Sequence, residues 1–316
     1  MKYNCTDMYI HESKNWPNFR WDDTKVSLLV EDICRKQGML VGRLSSLGFD
    51  SKLKAMVENL THDVVYSSEI EGIRLNIDEV RSSIARRVGL DTVKYTAPSH
   101  YVDSVVSVMF EAIENYDQPL TKEKLCAWQS AFFPTGFSDG SQIQVGQYRT
   151  HEEHIVSGMF GREKIHYIAP SPEKVEEEME NFLQWFNAEH TESSIICSAI
   201  AHLWFVSIHP FEDGNGRIAR LMVNYILSRH GYPMIVVRSR KKNEYLEALH
   251  KTDLTVGATP HLGAHASRRD IQQFLTYFAN LFVEEVNYNI QFLTERGENV
   301  WWFDGERVKF RSPSTS

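Results

Sequence analysis

Long apolar runs, paired cysteines and an excess of basic charge are all missing from this chain, and each absence removes a class of function. The most apolar stretch, Ile195–Ile208, is shorter than the roughly 20 residues a membrane-spanning helix needs and contains His202, so it reads as a buried helix. The four cysteines, Cys5, Cys34, Cys126 and Cys197, are widely separated and form no CxxC pair. They are expected to be reduced and mostly structural, as in a cytoplasmic protein. Lys and Arg number 34 against 42 Asp and Glu, a net charge of −8, and the pI is near 5.9. That balance argues against a general nucleic-acid binder. The opening MKYNCTDMYIHESKNW holds no apolar core, so no signal peptide is expected. No internal repeat is visible, and the one biased segment is the polar end RSPSTS.

What is present reads mostly as helix. Leu53, Met56, Val57, Leu60 and Val64 form one apolar stripe at helical spacing, and Gly72 is a natural residue to stop it. Residues 91–100, with Pro98 inside, read as a linker. Thr121 is the expected N-cap of a further helix, and 136–146 reads as turn-rich. In HIVSGMFGREKIHYIAP, Ile155-Val156 and Ile165 to Ile168 flank a glycine-containing centre, which predicts a short β-hairpin. Ser171-Pro172-Glu173 carries the N-cap, first-turn proline and first-turn acid of a helix whose buried face is Val175, Met179, Phe182, Leu183 and Phe186. The expectation is an all-α protein with one small hairpin.

The chemistry gathers in SIHPFEDGNGRIARL, Ser207 to Leu221, between two predicted helices, the second closed by Gly231 with Pro233 beyond. On that second helix Ile218, Leu221, Met222 and Tyr225 make an apolar face, while Arg217, Arg220 and Asn224 share another. Gly214-Asn215-Gly216 can adopt φ > 0 conformations that turn successive amides inward, at a helix start that already attracts anions. The two features together form a phosphate cradle without a Walker motif. Asp213 at its lip suits Mg²⁺, which takes one or two carboxylates and fills its shell with phosphate and water oxygens. An unperturbed histidine titrates near ~6.5, so His209 can be a neutral base at pH 7, and neighbouring arginines favour that form. A base, a metal-binding acid and a phosphate nest describe phosphoryl or nucleotidyl transfer to a hydroxyl. His151 and His154, spaced i, i+3, do not fit HExxH and are not expected to bind zinc, and His261 and His265 are expected in a solvent-exposed loop.

The pattern HxFx(D/E)GNGRxxR fixes eight of the twelve positions His209 to Arg220, too many for a chance turn, and it resembles the Fic family signature without departure. The resemblance implies a Fic-fold helical core with a β-hairpin flap that moves AMP from ATP, with Mg²⁺, onto a Ser, Thr or Tyr hydroxyl of a target protein. Carried over, His209 is the base, Asp213 holds the metal, and Phe211 anchors the loop. Gly214, Asn215 and Gly216 wrap the α- and β-phosphates, and Arg217 and Arg220 hold the phosphate tail. The related Doc kinases differ inside the nest, so intact Gly-Asn-Gly favours nucleotidylation.

SSEIEG, Ser67 to Gly72, is similar to the [ST]xxxE[GN] inhibitory motif of the same family, with Ser67, Glu71 and Gly72 in the named places. It implies that Glu71 reaches Arg220 and takes the place of the γ-phosphate. By the same resemblance Ile165 and Ile168 lie on the flap strand, Tyr245 lines the adenine pocket, and NWPNFRWDD, Asn15 to Asp23, belongs to an N-terminal domain.

The implied organisation is an N-terminal helical domain, 1–95, with an inhibitory helix over about 51–72; a Fic core, 96–285; and a tail, 286–316, in which a winged-helix module is absent or cut short after Trp301-Trp302. Removal of AMP by the same site, and a non-catalytic ATP-binding module, remain the alternatives. The target protein and the nucleotide base are not specified by these residues. No nucleic acid or membrane is expected as a partner, and a homodimer is compatible with the family.

Overall fold

The computed structural model describes residues 10–12, 16–44, 49–90, 94–157, 164–232, 236–253 and 271–295. Cys5, Asn15, Pro233, His261, His265, Trp301 and Trp302 lie outside them. In chain order the α-helices are α1 (Asp23–Leu44), α2 (Phe49–Ile70), α3 (Ile77–Arg87), α4 (His100–Glu114), α5 (Lys122–Phe132), α6 (Pro172–Phe186), α7 (Ser194–Ile208), α8 (Asn215–Arg229), α9 (Lys242–Asp253) and α10 (Gln272–Glu295). The strands β1 (Phe137–Ser138), β2 (Ser141–Gln142), β3 (His154–Ser157) and β4 (Lys164–Ile168) lie between α5 and α6. Single 3₁₀ turns occupy Ile10–Glu12 and Ser239–Lys241. Among the described residues no helix is long and apolar enough to cross a membrane.

The helix ends follow local chemistry. Thr121 caps α5, its hydroxyl accepting from Lys124 N, and Ser193 caps α7 through Ile196 N. Ser171 stands at the N-cap of α6 with Pro172 at the first helical position, but its hydroxyl makes no capping bond to the backbone. α2 stops at Ile70, and Gly72 takes φ +82° there. Gly72 N bonds Glu69 O and Ile73 N bonds Ser68 O, closing the helix end. Gly231, at φ +67°, ends α8 the same way.

Among the described residues there are two short hairpins rather than one. The predicted hairpin is β3–β4, with a bulge between Ile155 and Val156 and the register His154↔Ile168 and Val156↔Ile165. A second, β1–β2, falls within the stretch read as turns. Asp139 and Gly140 both have positive φ, which is the geometry a two-residue Asp-Gly hairpin turn requires. Its flanks Phe137-Ser138 and Ser141-Gln142 lack alternating apolar residues, which is why the strands left no pattern in the sequence.

The chain forms two compact units, each discontinuous. One comprises Met1–Ser27, Pro119–Ala219 and Asn243–Phe278; the other Leu28–Gln118, Arg220–Lys242 and Ala279–Ser316. In the first, α6 packs on α7, and Phe182 is fully buried against Trp204 and Phe205. The Trp-rich N-terminal segment packs on the same cluster. Trp16 and Phe19 meet Trp204 edge-on, and the Trp16 indole N–H donates to Glu178 at 2.8 Å. In the second unit α3 packs between α2 and α4, with Arg81 bonded to Glu58 of α2 and Arg86 to Asp103 of α4.

Candidate active site

α7 is apolar on every side and buried almost throughout, so it can only be a core rod, and its C-terminal end is a fixed point. The residue at that end is His209, in the left-handed region at φ 52°, ψ 59°. A non-glycine residue there stores strain. Arg149 supplies the compensation. It is 2% exposed, and its guanidinium donates to His209 O (2.7 Å), Ile208 O (3.3 Å), Pro170 O (2.6 Å) and His151 O (2.8 Å). The Arg149 main-chain N–H donates to Pro210 O at 2.8 Å. One buried cation thus ties the His209 loop to the segments before and after β3–β4. Burial draws its pKa below the ordinary guanidinium value, opposed by the charge of Glu153.

A second tie runs through Tyr167 of β4, whose hydroxyl donates to Ser207 O at 2.8 Å. The same hydroxyl lies 2.9 Å from Nδ1 of His11 in the N-terminal 3₁₀ turn. Burial pushes His11 down to about 4, leaving it neutral at pH 7.

His209 Nδ1 lies 3.1 Å from Val206 O. A carbonyl only accepts, so this bond puts the ring proton on Nδ1 and makes Nε2 the basic nitrogen. Beyond Pro210, Phe211 is fully buried and its backbone is bracketed by Asn215: Phe211 N donates to Asn215 Oδ1 (3.0 Å), and Asn215 Nδ2 donates to Phe211 O (2.7 Å). The Asn215 side chain therefore shapes the loop, leaving only its main chain to offer a phosphate.

Gly214, Asn215 and Gly216 do not share positive φ. Gly214 alone does, at +91°, and Asn215 and Gly216 are the first two residues of α8. The expected nest is a single left-handed turn feeding a helix N-terminus, whose first N–H groups have no intrahelical acceptor. A Cβ on Gly214 would stand 3.0 Å from Phe133 Cε2, so both conformation and space demand glycine. Asp213 is half-buried; Oδ1 accepts from Gly214 N at 2.5 Å and Oδ2 from the Ser138 hydroxyl. The Asp213 carbonyl accepts from Gln129, a fully buried residue that also holds Gly146 N. Glu212 turns away, accepting from Gln144 N, with His151 Nδ1 3.4 Å from its other oxygen.

α8 is buried on both faces. Ile218, Leu221, Met222 and Tyr225 are buried as predicted, but so are Arg217 (4%), Arg220 (7%) and Asn224 (1%). The Arg217 guanidinium packs over the rings of Phe132 and Phe133, at 4.7 and 4.6 Å. In the second unit Arg220 meets α2 and the residue just past its end: Nη2 donates to Glu71 Oε1 (2.6 Å) and Ser67 O (3.0 Å), and Nε to Ser67 Oγ (3.0 Å). Gly72 lets the chain stop there, which leaves Glu71 directed at the guanidinium. One turn earlier, Asp63 accepts from Asn224 Nδ2 at 3.2 Å. Asp63, Ser67 and Glu71, spaced i, i+4, i+8, form a polar seam against Arg220 and Asn224.

Burial raises Asp63 to about 7, with Arg220 pulling the other way. The folded protein therefore keeps a proton that the unfolded chain releases near the ordinary carboxylate pKa. This contribution to stability is complete at about pH 4 and is lost as pH rises to 7. Denaturant unfolding at pH 5 and pH 8 is expected to show a larger loss of stability for the wild type than for Asp63→Asn. Parallel losses would mean that Asp63 stays ionised in the fold.

Of the remaining predicted positions, Ile165 and Ile168 are half-buried on β4, while Val156 opposite is 47% exposed. Tyr245 is 4% exposed, its hydroxyl 2.8 Å from Nε2 of the buried His202, so it is a core residue rather than an open pocket wall. The pairs His151–Glu153 and His154–Glu152 are loose, at 3.8 and 3.7 Å. Sequence reasoning passed over Arg149, Gln129, Tyr167 and Asp63. A lone arginine in GQYRT or an aspartate in a helical stripe carries no spacing signal.

Comparison with known proteins places these features. Residues 9–90 match a family described as a domain of unknown function, DUF4172, and residues 119–227 match the Fic/DOC family. Over 104 residues the chain is 36% identical to "Protein adenylyltransferase Fic" of Drosophila yakuba, covering 31% of this chain and 21% of that protein. The chain thus spans about a fifth of the length of the curated relatives it matches. Two solved structures share the fold. A Fic domain containing signaling protein from Bacteroides thetaiotaomicron has a TM-score of 0.62 at 24% identity, covering 83% of this chain and 94% of that one. A Fic family protein from Desulfovibrio desulfuricans has a TM-score of 0.61 at 22% identity, covering 84% and 74%. The family match falls on the segment that holds the left-handed histidine, the glycine turn and the helix behind it, so residues 119–227 carry a Fic/DOC family domain.

Proposed function

We propose that the chain is a protein adenylyltransferase, moving AMP from ATP to a target hydroxyl, and that Glu71 holds it in an inhibited state. The observation that carries the transfer chemistry is the His209–Gly214 loop: a basic Nε2 set by the Nδ1–Val206 bond, four residues from a carboxylate and five from the glycine turn into α8. The curated relatives named as adenylyltransferases agree with it.

In this reading His209 Nε2 takes the proton of the incoming hydroxyl, whose oxygen attacks the α-phosphorus. The P–O bond to pyrophosphate breaks on the opposite side. The turn at Gly214 and the first N–H groups of α8 bind the phosphates. Asp213 fits a Mg²⁺ site, because each carboxylate oxygen accepts one hydrogen bond and keeps a lone pair for a metal. Bound there, the cation would neutralise charge on the leaving pyrophosphate. The open edge of β3–β4 suits main-chain pairing with a target segment.

The inhibited state is supported by the Arg220 contacts with Ser67 and Glu71. A charge-assisted hydrogen bond contributes roughly 1.5–3 kcal/mol, so releasing the guanidinium for the phosphate tail changes an equilibrium by ~10- to 100-fold. Intact-mass spectrometry after incubation with ATP and Mg²⁺ tests both parts. An AMP-sized gain is expected for Glu71→Gly, at a rate ~10- to 100-fold above wild type, and none for Glu71→Gly with His209→Ala. Equal gain in wild type and Glu71→Gly would remove the inhibitory role. Gain surviving His209→Ala would remove the base. No gain, together with no ATP binding by Glu71→Gly, would overturn the transfer.

A further inference from the structure

The loop joining α6 to α7 brings together three side chains that the transfer chemistry does not use. His190, Glu192 and Cys197 each offer a metal-ligating atom, and these atoms lie within 4.8 Å of one another. His190 Nε2 is buried with no hydrogen-bond partner, an orphan that calls for an explanation. The Cys197 thiol makes a long 3.7 Å contact to Glu192 O, and the Glu192 carboxylate accepts from the Thr191 hydroxyl at 3.3 Å. The Trp185 ring packs 4.6 Å from that of His190.

We propose that His190, Glu192 and Cys197 form a zinc site that staples the start of α7. The donor set is one thiolate, one imidazole and one carboxylate, the mixed soft and borderline set that zinc accepts. Coordination releases the thiol proton to solvent, so the +2 ion is balanced by two single negative charges and the half-buried site is neutral. A tetrahedral zinc holds such ligands ~3.5 Å apart, so the atoms need to close by at most ~1.3 Å. His190 and Glu192 lie outside regular structure and can supply that movement, whereas Cys197 is fixed in the first turn of α7.

Room for a fourth ligand adjoins the site. A cavity of about 150 Å³ is lined by Glu192 and Cys197 together with Trp21, Trp185 and Trp204. The Trp204 indole N–H reaches no acceptor, although that residue is only 4% exposed, so a zinc-bound water has a donor at hand. Three protein ligands plus water match an open zinc position. Because α7 ends at His209, a staple at Cys197 would hold the far end of the helix that carries the catalytic base.

The test uses the full chain, stripped with a chelator, dialysed and titrated with Zn²⁺ against a chromophoric competitor. One zinc per chain with submicromolar affinity is expected. His190→Ala and Cys197→Ser should each weaken it by ~100-fold or more, beyond the cost of losing an outer-shell contact, while His154→Ala leaves it unchanged. Should either variant fail to fold, Co²⁺ added to wild type must give a thiolate-to-cobalt charge-transfer band. Zinc bound only weakly, zinc retained by both ligand variants, or a cobalt complex without that band would each overturn the site.

Discussion

In the Glu71→Gly background, His209→Ala lowers the rate of AMP incorporation by ~10²- to 10⁴-fold, the range general-base catalysis supplies. The effect falls on kcat and leaves the KM for ATP nearly unchanged, because the imidazole does not hold the phosphates. A structural role must be separated from a chemical one, since His209 sits at φ 52° and an alanine there would be strained. His209→Asn provides the control. Asparagine tolerates the left-handed conformation better than most residues but cannot take a proton at neutral pH. Both variants are expected to be inactive, with the asparagine variant unfolding close to the parent temperature. An asparagine variant that keeps more than about a tenth of the activity would remove His209 from the role of base.

The second large effect is expected at a residue that touches no reacting atom in the proposed mechanism. Arg149→Ala removes the donors to the carbonyls of His151, Pro170, Ile208 and His209, all held by one 2%-exposed guanidinium. Orphaning one buried acceptor costs about 1–3 kcal/mol, and water entering the space recovers part of the total, so a loss of ~3–5 kcal/mol is expected in denaturant unfolding. Arg149→Lys should recover little of it. A single ammonium lacks the planar fork that reaches four carbonyls at once. In conditions where Arg149→Lys stays folded, its kcat should fall while ATP binding persists, because the His209 backbone is no longer pinned. A loss under about 1 kcal/mol for Arg149→Ala would show that the loop holds its conformation without the clamp.

Local signals in the chain were readable where one residue or a fixed spacing suffices. Thr121 announces the start of α5, Gly72 and Gly231 announce the ends of α2 and α8, and the mostly apolar run 195–208 announces a core helix. The signature His209 to Arg220 was readable because its residues are neighbours in the chain, and the loop they form is closed by its own members, as in the Asn215–Phe211 bonds. The Asp-Gly hairpin β1–β2 was missed because its strands are two residues long and carry no alternation.

The support of that loop was not readable. Arg149 is about 60 residues from the carbonyls of Ile208 and His209, and Tyr167 lies 40 from Ser207 and 156 from His11. No local pattern records such pairings. Tyr245 illustrates the same limit: the resemblance put it in the adenine pocket, and its position beside the core His202 is a matter of packing that no local pattern records.

The sequence by itself determined the residue types on offer and the helices that carry them, because these depend on composition and short spacing, whereas the pairing of Glu71 with Arg220 was implied only by the family resemblance. Only the tertiary structure decided that His209 is held left-handed with its proton on Nδ1, that Arg217 and Arg220 are buried rather than solvated, and that burial raises Asp63 to about 7. Strain, tautomer and burial are set by atoms brought from distant segments, and they come into being only when those segments pack.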